Sequence, residues 1–290
     1  MEIRKLSFAM GAEIKGVDIE RGLSDAQWEA IYNAWLEHIF IVIPRQNASP
    51  EKLIEFAARF GALDDHSEDP ASTLPGYPEI FLIGNHMVNG RMSKTKDTGR
   101  VWHSDHSYTT RPTKISMLHC REIPPAGGTT LLSNLYMAYD ALSDAYKQVL
   151  ENLEAVHDFL YFHEAPHFFW QPNLKNRQKI IDNYPPVAHP IVRTHPETKK
   201  KCLYVSEGQM RTIHGMHQEE AASILQYVFK HSTRPEFTYR HNYERGDLVF
   251  WDNRCSQHIA PADYVHNEEN LRLMYRLTVL GESCGTQVSR

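Results

Sequence analysis

Hydrophobic and polar positions alternate along this chain in short blocks. Near the amino terminus they predict strands over residues 3–8 and 12–17, then a helix over residues 25–38. In that helix Trp28, Ile31, Trp35 and Ile39 recur at three- and four-residue intervals, the stripe of an amphipathic helix. The run FIVIP (40–44) reads as a buried strand. Ser49-Pro50 then provides an N-cap followed by proline at the first helical position, opening a helix that runs to about residue 60. Further strands are predicted over 79–83, 114–122, 129–132, 188–194, 201–205, 236–243, 247–252 and 271–280, with helices over 144–153 and 218–231. Many short strands punctuated by Gly, Pro and Asn predict a mainly β sandwich or barrel with flanking α-helices, not a regular βαβ alternation. Residues 85–100 (NHMVNGRMSKTKDTGR) are polar and aperiodic. They read as an exposed loop, either an active-site lid or a plain insertion.

Composition narrows the class. The chain has 290 residues, 41% of them hydrophobic, with no repeat or low-complexity tract, so residues 1–290 are expected to form a single domain with a substantial core. Its formal net charge of −5 argues against a nucleic-acid partner. No apolar run approaches the roughly 20 residues of a membrane span, and the first residues lack the apolar centre of a secretory signal. Four cysteines (Cys120, Cys202, Cys255, Cys284) form no CxxC pair, which fits a reduced, cytoplasmic setting. With 17 histidines present, the useful question is which of them stand at ligand spacing.

Trp102-His103-Ser104-Asp105 is one place. On an extended strand residues two apart share a face, so His103 and Asp105 can meet one metal ion. The triplet alone also fits a histidine hydrogen-bonded beside a strand-end carboxylate. His258, beyond the apolar strand and Trp251-Asp252-Asn253-Arg254, is a distant third donor. Two histidines and one carboxylate leave three positions of Fe(II) open, although affinity by itself does not exclude zinc. Arg272 and Arg276, four apart, share a strand face and suit two anionic groups gripped by paired hydrogen bonds. Taken alone they fit an exposed edge strand equally. The turn Pro124-Pro125-Ala126-Gly127-Gly128 leads into Thr129 and Thr130, whose hydroxyls can serve a carboxylate. His106 and Tyr108 either line a pocket or pack the strand end. His119 reads as a core or surface histidine. The aromatic run His167, Phe168, Phe169 and Trp170 reads as packing for a long loop or as a cap over an apolar substrate.

Taken in order, the Trp-His-Ser-Asp motif, the Pro-Pro-x-Gly-Gly turn ending in Thr130, and Gly246-Asp247…Trp251-Asp252-Asn253-Arg254…His258…Arg272…Arg276 resemble the taurine/2,4-dichlorophenoxyacetate dioxygenase (TauD/TfdA) family. The resemblance runs from about residue 11 to residue 281. It implies a double-stranded β-helix (jelly-roll, cupin-like) core. His103, Asp105 and His258 would be the ligands of Fe(II), and Arg272 with Thr130 would bind the distal carboxylate of 2-oxoglutarate. Arg276 would serve the co-substrate's chelating end or the substrate anion. His66 falls where taurine-type members place a substrate-binding histidine, and Tyr108 joins it as a substrate-side candidate. The implied reaction is hydroxylation of a small organic anion (a sulfonate, aryloxyalkanoate or amino-acid-derived acid) with O₂, coupled to decarboxylation of 2-oxoglutarate to succinate and CO₂. A homodimer or tetramer is expected. Gly99, where taurine-type enzymes carry asparagine, and residues 160–163 depart from the taurine pattern and leave the substrate open. Two other classes use the same residues: a zinc hydrolase on the His103/Asp105/His258 set, and a catalytically silent jelly-roll binding protein.

Overall fold

Strands that are apolar on both faces form the centre of the molecule. The structure, a computed structural model, describes residues 1–88, 90–164 and 177–289. Its largest sheet has eight strands in the order Glu2–Lys5, Ala12–Lys15, Phe40–Ile43, Leu248–Asp252, Thr113–Glu122, Leu273–Leu280, Tyr77–Gly84, Thr73–Leu74. All neighbours are antiparallel except Ala12–Lys15 and Phe40–Ile43. Alternation within single strands divides the core in two. Leu248 and Phe250 join Ile41, Ile43, Ile115 and Met117 under the helices Asp25–His38 and Pro50–Ala58. Val249 and Trp251 point the other way, to Leu118, Leu132, Leu135, Ile213 and Val228.

That second face is covered by a three-stranded sheet (Thr238–His241, Thr130–Asn134, Ser256–Ile259), a four-stranded sheet (Met210–Ile213, Glu154–His157, Val187–Pro190, Thr286–Gln287) and the helices Leu135–Asp140 and Gln218–Ser232. The facing sheets make the jelly-roll core. Asp25–His38 forms where its stripe predicts, and the structure adds a capping box: Ser24 accepts from the Gln27 amide and the Gln27 side chain accepts from the Ser24 amide.

Several expectations are corrected. The stretch 188–194 is two strands in different sheets, Val187–Pro190 and Val192–Thr194, since Pro190 has no amide to continue a ladder. His103 and Asp105 do not lie on a strand. His103 makes an isolated bridge to His258, and Asp105 begins a turn. Residues 85–100 are not a featureless exposed loop: they hold the strands Met87–Val88 and Arg91–Met92, the 3₁₀ turn Lys94–Asp97, and buried Asn85, Ser93 and Thr95. His119 is a core residue. All four cysteines are free. His167, Phe168, Phe169 and Trp170 lie outside the described residues. Among the described residues no helix is long and apolar enough to cross a membrane.

Candidate active site

His103 and His258 are held side by side by two backbone hydrogen bonds of 3.0 and 2.8 Å, with their rings 4.2 Å apart and tilted by 45°. His103 Nδ1 donates to the Val101 carbonyl at 2.7 Å. In the neutral imidazole its Nε2 therefore carries a lone pair, and this faces Asp105 Oδ1 at 3.5 Å. His258 Nε2 stands 3.8 Å from Asp105 Oδ2, and one ligand atom from each of the three residues lies within 4.8 Å of the others. All three side chains are buried. Burial, reinforced by His103, pushes the His258 imidazole down to about 3, so it is neutral at physiological pH. Burial would raise the Asp105 carboxyl, but the neighbouring His258 and Arg276 hold it well below the usual range. Lone pairs and a carboxylate converging without a cation repel one another. A divalent ion bound by two imidazoles and one carboxylate relieves that repulsion, and the donor set fits one.

The carboxylate is braced from behind. Ser116 Oγ donates to Asp105 Oδ2 at 2.5 Å, Asn253 Nδ2 donates to Ser116 Oγ at 2.9 Å, and Asn253 Oδ1 accepts from the Asp105 amide at 3.2 Å. The Trp251 ring packs 4.6 Å from that of His258. A second buried set, His195, Asp252 and Cys255, has comparable spacing. There His195 Nδ1 accepts two backbone amides, so Nε2 carries the proton and donates to Asp252 Oδ2 at 3.0 Å. Arg254 occupies the rest of that carboxylate, which makes this set a structural brace.

His103, Asp105 and His258 open onto a cavity also lined by Thr130, Arg272 and Arg276, with Ile83, Leu118 and Trp251 as apolar wall. Arg272 is only 5% exposed. Its amide donates to Asn85 Oδ1 at 2.7 Å, and its Nε donates to the Gly128 carbonyl at 3.1 Å. Among the described residues no carboxylate lies within ion-pairing distance of it. A buried, unpaired guanidinium is costly unless an anion joins it. Thr130 Oγ1 shares a hydrogen bond of 2.9 Å with the Tyr243 hydroxyl beside it. Arg276 is set over the Phe81 ring at 5.2 Å, and its buried Nε has no hydrogen-bond partner.

His66 and Tyr108 stand outside this lining and gather beside Arg276. The His66 ring packs 5.1 Å from Phe81, and its buried Nε2 stands 4.0 Å from Asp64 Oδ2 with no hydrogen-bond partner among the described residues. Burial and then the Arg276 charge push His66 down to about 4, partly offset by Asp64. His106, in a left-handed backbone conformation (φ 53°), places Nδ1 3.7 Å from Asp64 Oδ2. Tyr108 packs against Phe159 at 4.7 Å and Tyr184 at 5.6 Å. Ser116, Asn85, Tyr243 and Arg100 were not found from sequence. Asn253 alone carried a signal, its place in the Trp-Asp-Asn-Arg run.

Comparisons with known proteins identify the family. The model of the family described as "Taurine catabolism dioxygenase TauD, TfdA family" matches residues 2–278. A relative from Acinetobacter baylyi named alkylsulfatase is 32% identical, over 97% of this chain and 86% of its own. The alpha-ketoglutarate-dependent 2,4-dichlorophenoxyacetate dioxygenase of a Burkholderia species is 29% identical, over 94% of this chain and 92% of its own. The crystal structure of a protein named AAD-2, in complex with Mn(II) and N-oxalylglycine, superimposes with a TM-score of 0.84 at 28% identity, covering 99% of this chain and 100% of that one.

Proposed function

The chain belongs to the TauD/TfdA family of Fe(II)- and 2-oxoglutarate-dependent dioxygenases, and from that premise we propose that His103, Asp105 and His258 hold the ferrous ion and that Arg272, with Thr130, binds the distal carboxylate of 2-oxoglutarate. When bound, iron, 2-oxoglutarate and O₂ supply the oxidising power that turns a substrate C–H into C–OH, with succinate and CO₂ as the other products. The protein's residues bind, orient and exclude water. Arg272 selects a diacid by charge and reach, because its side chain is fixed by Gly128 and its one remaining need is an anion. Ser116 and Asn253 hold the Asp105 carboxylate in place. Ile83, Leu118 and Trp251 keep the cavity wall dry.

The primary substrate is a small organic anion. Its charged group rests on Arg276 and His66, and Tyr108, with Phe159 and Tyr184, offers an aromatic surface to its apolar body. Aryloxyalkanoates and alkyl sulfates, the compounds named in two relatives, have this combination of anion and apolar body. The same reading takes residues 1–290 as one cytoplasmic domain that assembles as a homodimer or tetramer, without nucleic-acid or membrane partners. The observation that carries the proposal is the buried Arg272 cation without a counter-ion, in the same cavity as three converging metal donors. A zinc hydrolase gives that arginine no task, and the intact set of His103, Asp105 and His258 counts against a silent binding protein.

Succinate formation is the test. With Fe(II), ascorbate, 2-oxoglutarate and air, a panel of sulfonates, alkyl sulfates, aryloxyalkanoates and amino-acid-derived acids should contain at least one compound that drives turnover. Zn(II) should support none. Substrate hydrolysis with Zn(II) in the absence of O₂, and no iron-dependent succinate, would overturn the reading.

A further inference from the structure

We infer that Arg100 is a positioning residue for the metal site, tying the segment that carries His103 and Asp105 to the segment that carries His258. The inference rests on the iron-ligand reading above. Those two segments meet through a single isolated bridge, with no strand ladder on either side to keep it in register. One further backbone bond, from the Ala260 amide to the Gly99 carbonyl at 2.8 Å, extends the contact. The His258 side is held in its own strand, paired with Thr130–Asn134, whereas residues 99–105 form no strand.

Asn253 ties this segment at Ser104 and Asp105, and Arg100 adds a fastening on the other side of His103. Its Nη1 donates to the carbonyls of Ala260 (3.1 Å) and Pro261 (2.6 Å), just past His258. Its Nη2 donates to the Lys96 carbonyl at 3.1 Å and to His266 Nε2 at 2.9 Å. A guanidinium only donates, so His266 Nε2 is the acceptor and the imidazole proton sits on Nδ1, 3.5 Å from Asp97 Oδ1. The Arg100 side chain is only 11% exposed. One side chain thus binds acceptors on both segments with a planar fork that lysine cannot reproduce.

The tie also sets the cavity's width. Thr95, Lys96, Arg100, Ala260, Pro261 and Tyr264 all line the cavity, and Arg100 joins Lys96 to Ala260 and Pro261. Loss of the fork should let His258 drift from His103 and let the walls part, weakening both metal and diacid.

The decisive variant is Arg100→Lys, which keeps the charge and most of the volume but cannot span three carbonyls; Arg100→Ala extends it. Mn(II) and then N-oxalylglycine are titrated by calorimetry into the metal-free full-length protein. Arg100→Lys should bind Mn(II) on the order of 10-fold more weakly, with N-oxalylglycine weakened as well and the thermal midpoint nearly unchanged. In turnover the half-saturating Fe(II) concentration should rise while the rate at saturating iron stays within about threefold of wild type. His266→Ala, which leaves all three carbonyl contacts intact, should bind Mn(II) nearly as wild type does. Wild-type Mn(II) affinity in folded Arg100→Lys, with or without a lowered midpoint, overturns the inference. His103→Ala separates this failure from a wrong ligand assignment: if it retains Mn(II) binding, the iron-site reading itself falls.

Discussion

Arg272 shows how one residue sets the co-substrate. Its guanidinium is buried between the Gly128 carbonyl and the Tyr243 ring, and among the described residues no carboxylate lies within ion-pairing distance of it. Arg272→Ala should therefore raise the half-saturating 2-oxoglutarate concentration on the order of 100-fold, the range for truncating one partner of a buried charge pair. Mn(II) binding in the absence of diacid should be unchanged. Arg272→Lys should recover only part of the loss, because an ammonium lacks the paired donors. Ser116→Ala should act on the other component. It removes one donor from Asp105 and leaves Asn253 Nδ2 unpaired, so Mn(II) affinity measured by calorimetry should fall about 10- to 100-fold. The metal donors His103, Asp105 and His258 were legible through the order of motifs around them, since His-x-Asp alone is common, and the fold brings the three together. Ser116 was not: it sits inside Thr113–Glu122, and only the register that sets it opposite Trp251 brings it beneath Asp105.

At the scale of elements, the strand Tyr77–Gly84 ends where Leu273–Leu280 begins, and the two backbones meet too closely for any side chain. Gly84 has φ 143°, and a Cβ there would stand 1.8 Å from the Arg272 carbonyl oxygen. Gly84→Ala must push these strands apart or twist the backbone, at a cost of about 3 kcal/mol. Urea unfolding should show that loss, and the half-saturating 2-oxoglutarate concentration should rise with it because Arg272 moves. How well elements were read from sequence depended on how local their causes are. Asp25–His38 was predicted to its ends, since the apolar stripe that marks it lies within the segment itself. The division of 188–194 between two sheets depends on which strands lie alongside, and no local pattern encodes that. The His103–His258 bridge is similar: the periodicity of His-x-Asp suggested a strand, whereas a partner 155 positions away in the chain decides its form.

The whole molecule is drawn together at the turn that carries Asn253. Arg254, 2% exposed, donates to both oxygens of Asp252, to Glu197 at 2.7 Å and to Glu282 at 3.3 Å. Glu197 in turn accepts from Tyr32 of the first helix and pairs with Lys114 at 3.2 Å, and His195 donates to Asp252. Four other parts of the chain thus fix the turn from which Asn253 reaches Asp105 and Ser116. Burial would raise the Asp252 carboxyl, but Arg254 and His195 more than offset it and hold it far below the usual carboxylate range. A carboxyl depressed in the folded state stabilises the fold above its unfolded value of about 3.9, and that contribution disappears as pH falls through the lower folded value. Asp252→Asn should therefore cost about 3 to 5 kcal/mol near neutral pH, the range for breaking a buried pair. In urea titrations the gap between wild type and variant should narrow steadily below about pH 4, because wild type loses there what the variant never had. Mn(II) affinity at neutral pH should fall in the same variant, since the loosened turn no longer holds Asn253 against Asp105. A gap constant down to acid pH would show that Asp252 contributes by packing and not by charge. An unchanged Mn(II) affinity in the destabilised protein would show that the brace serves the fold without serving the site.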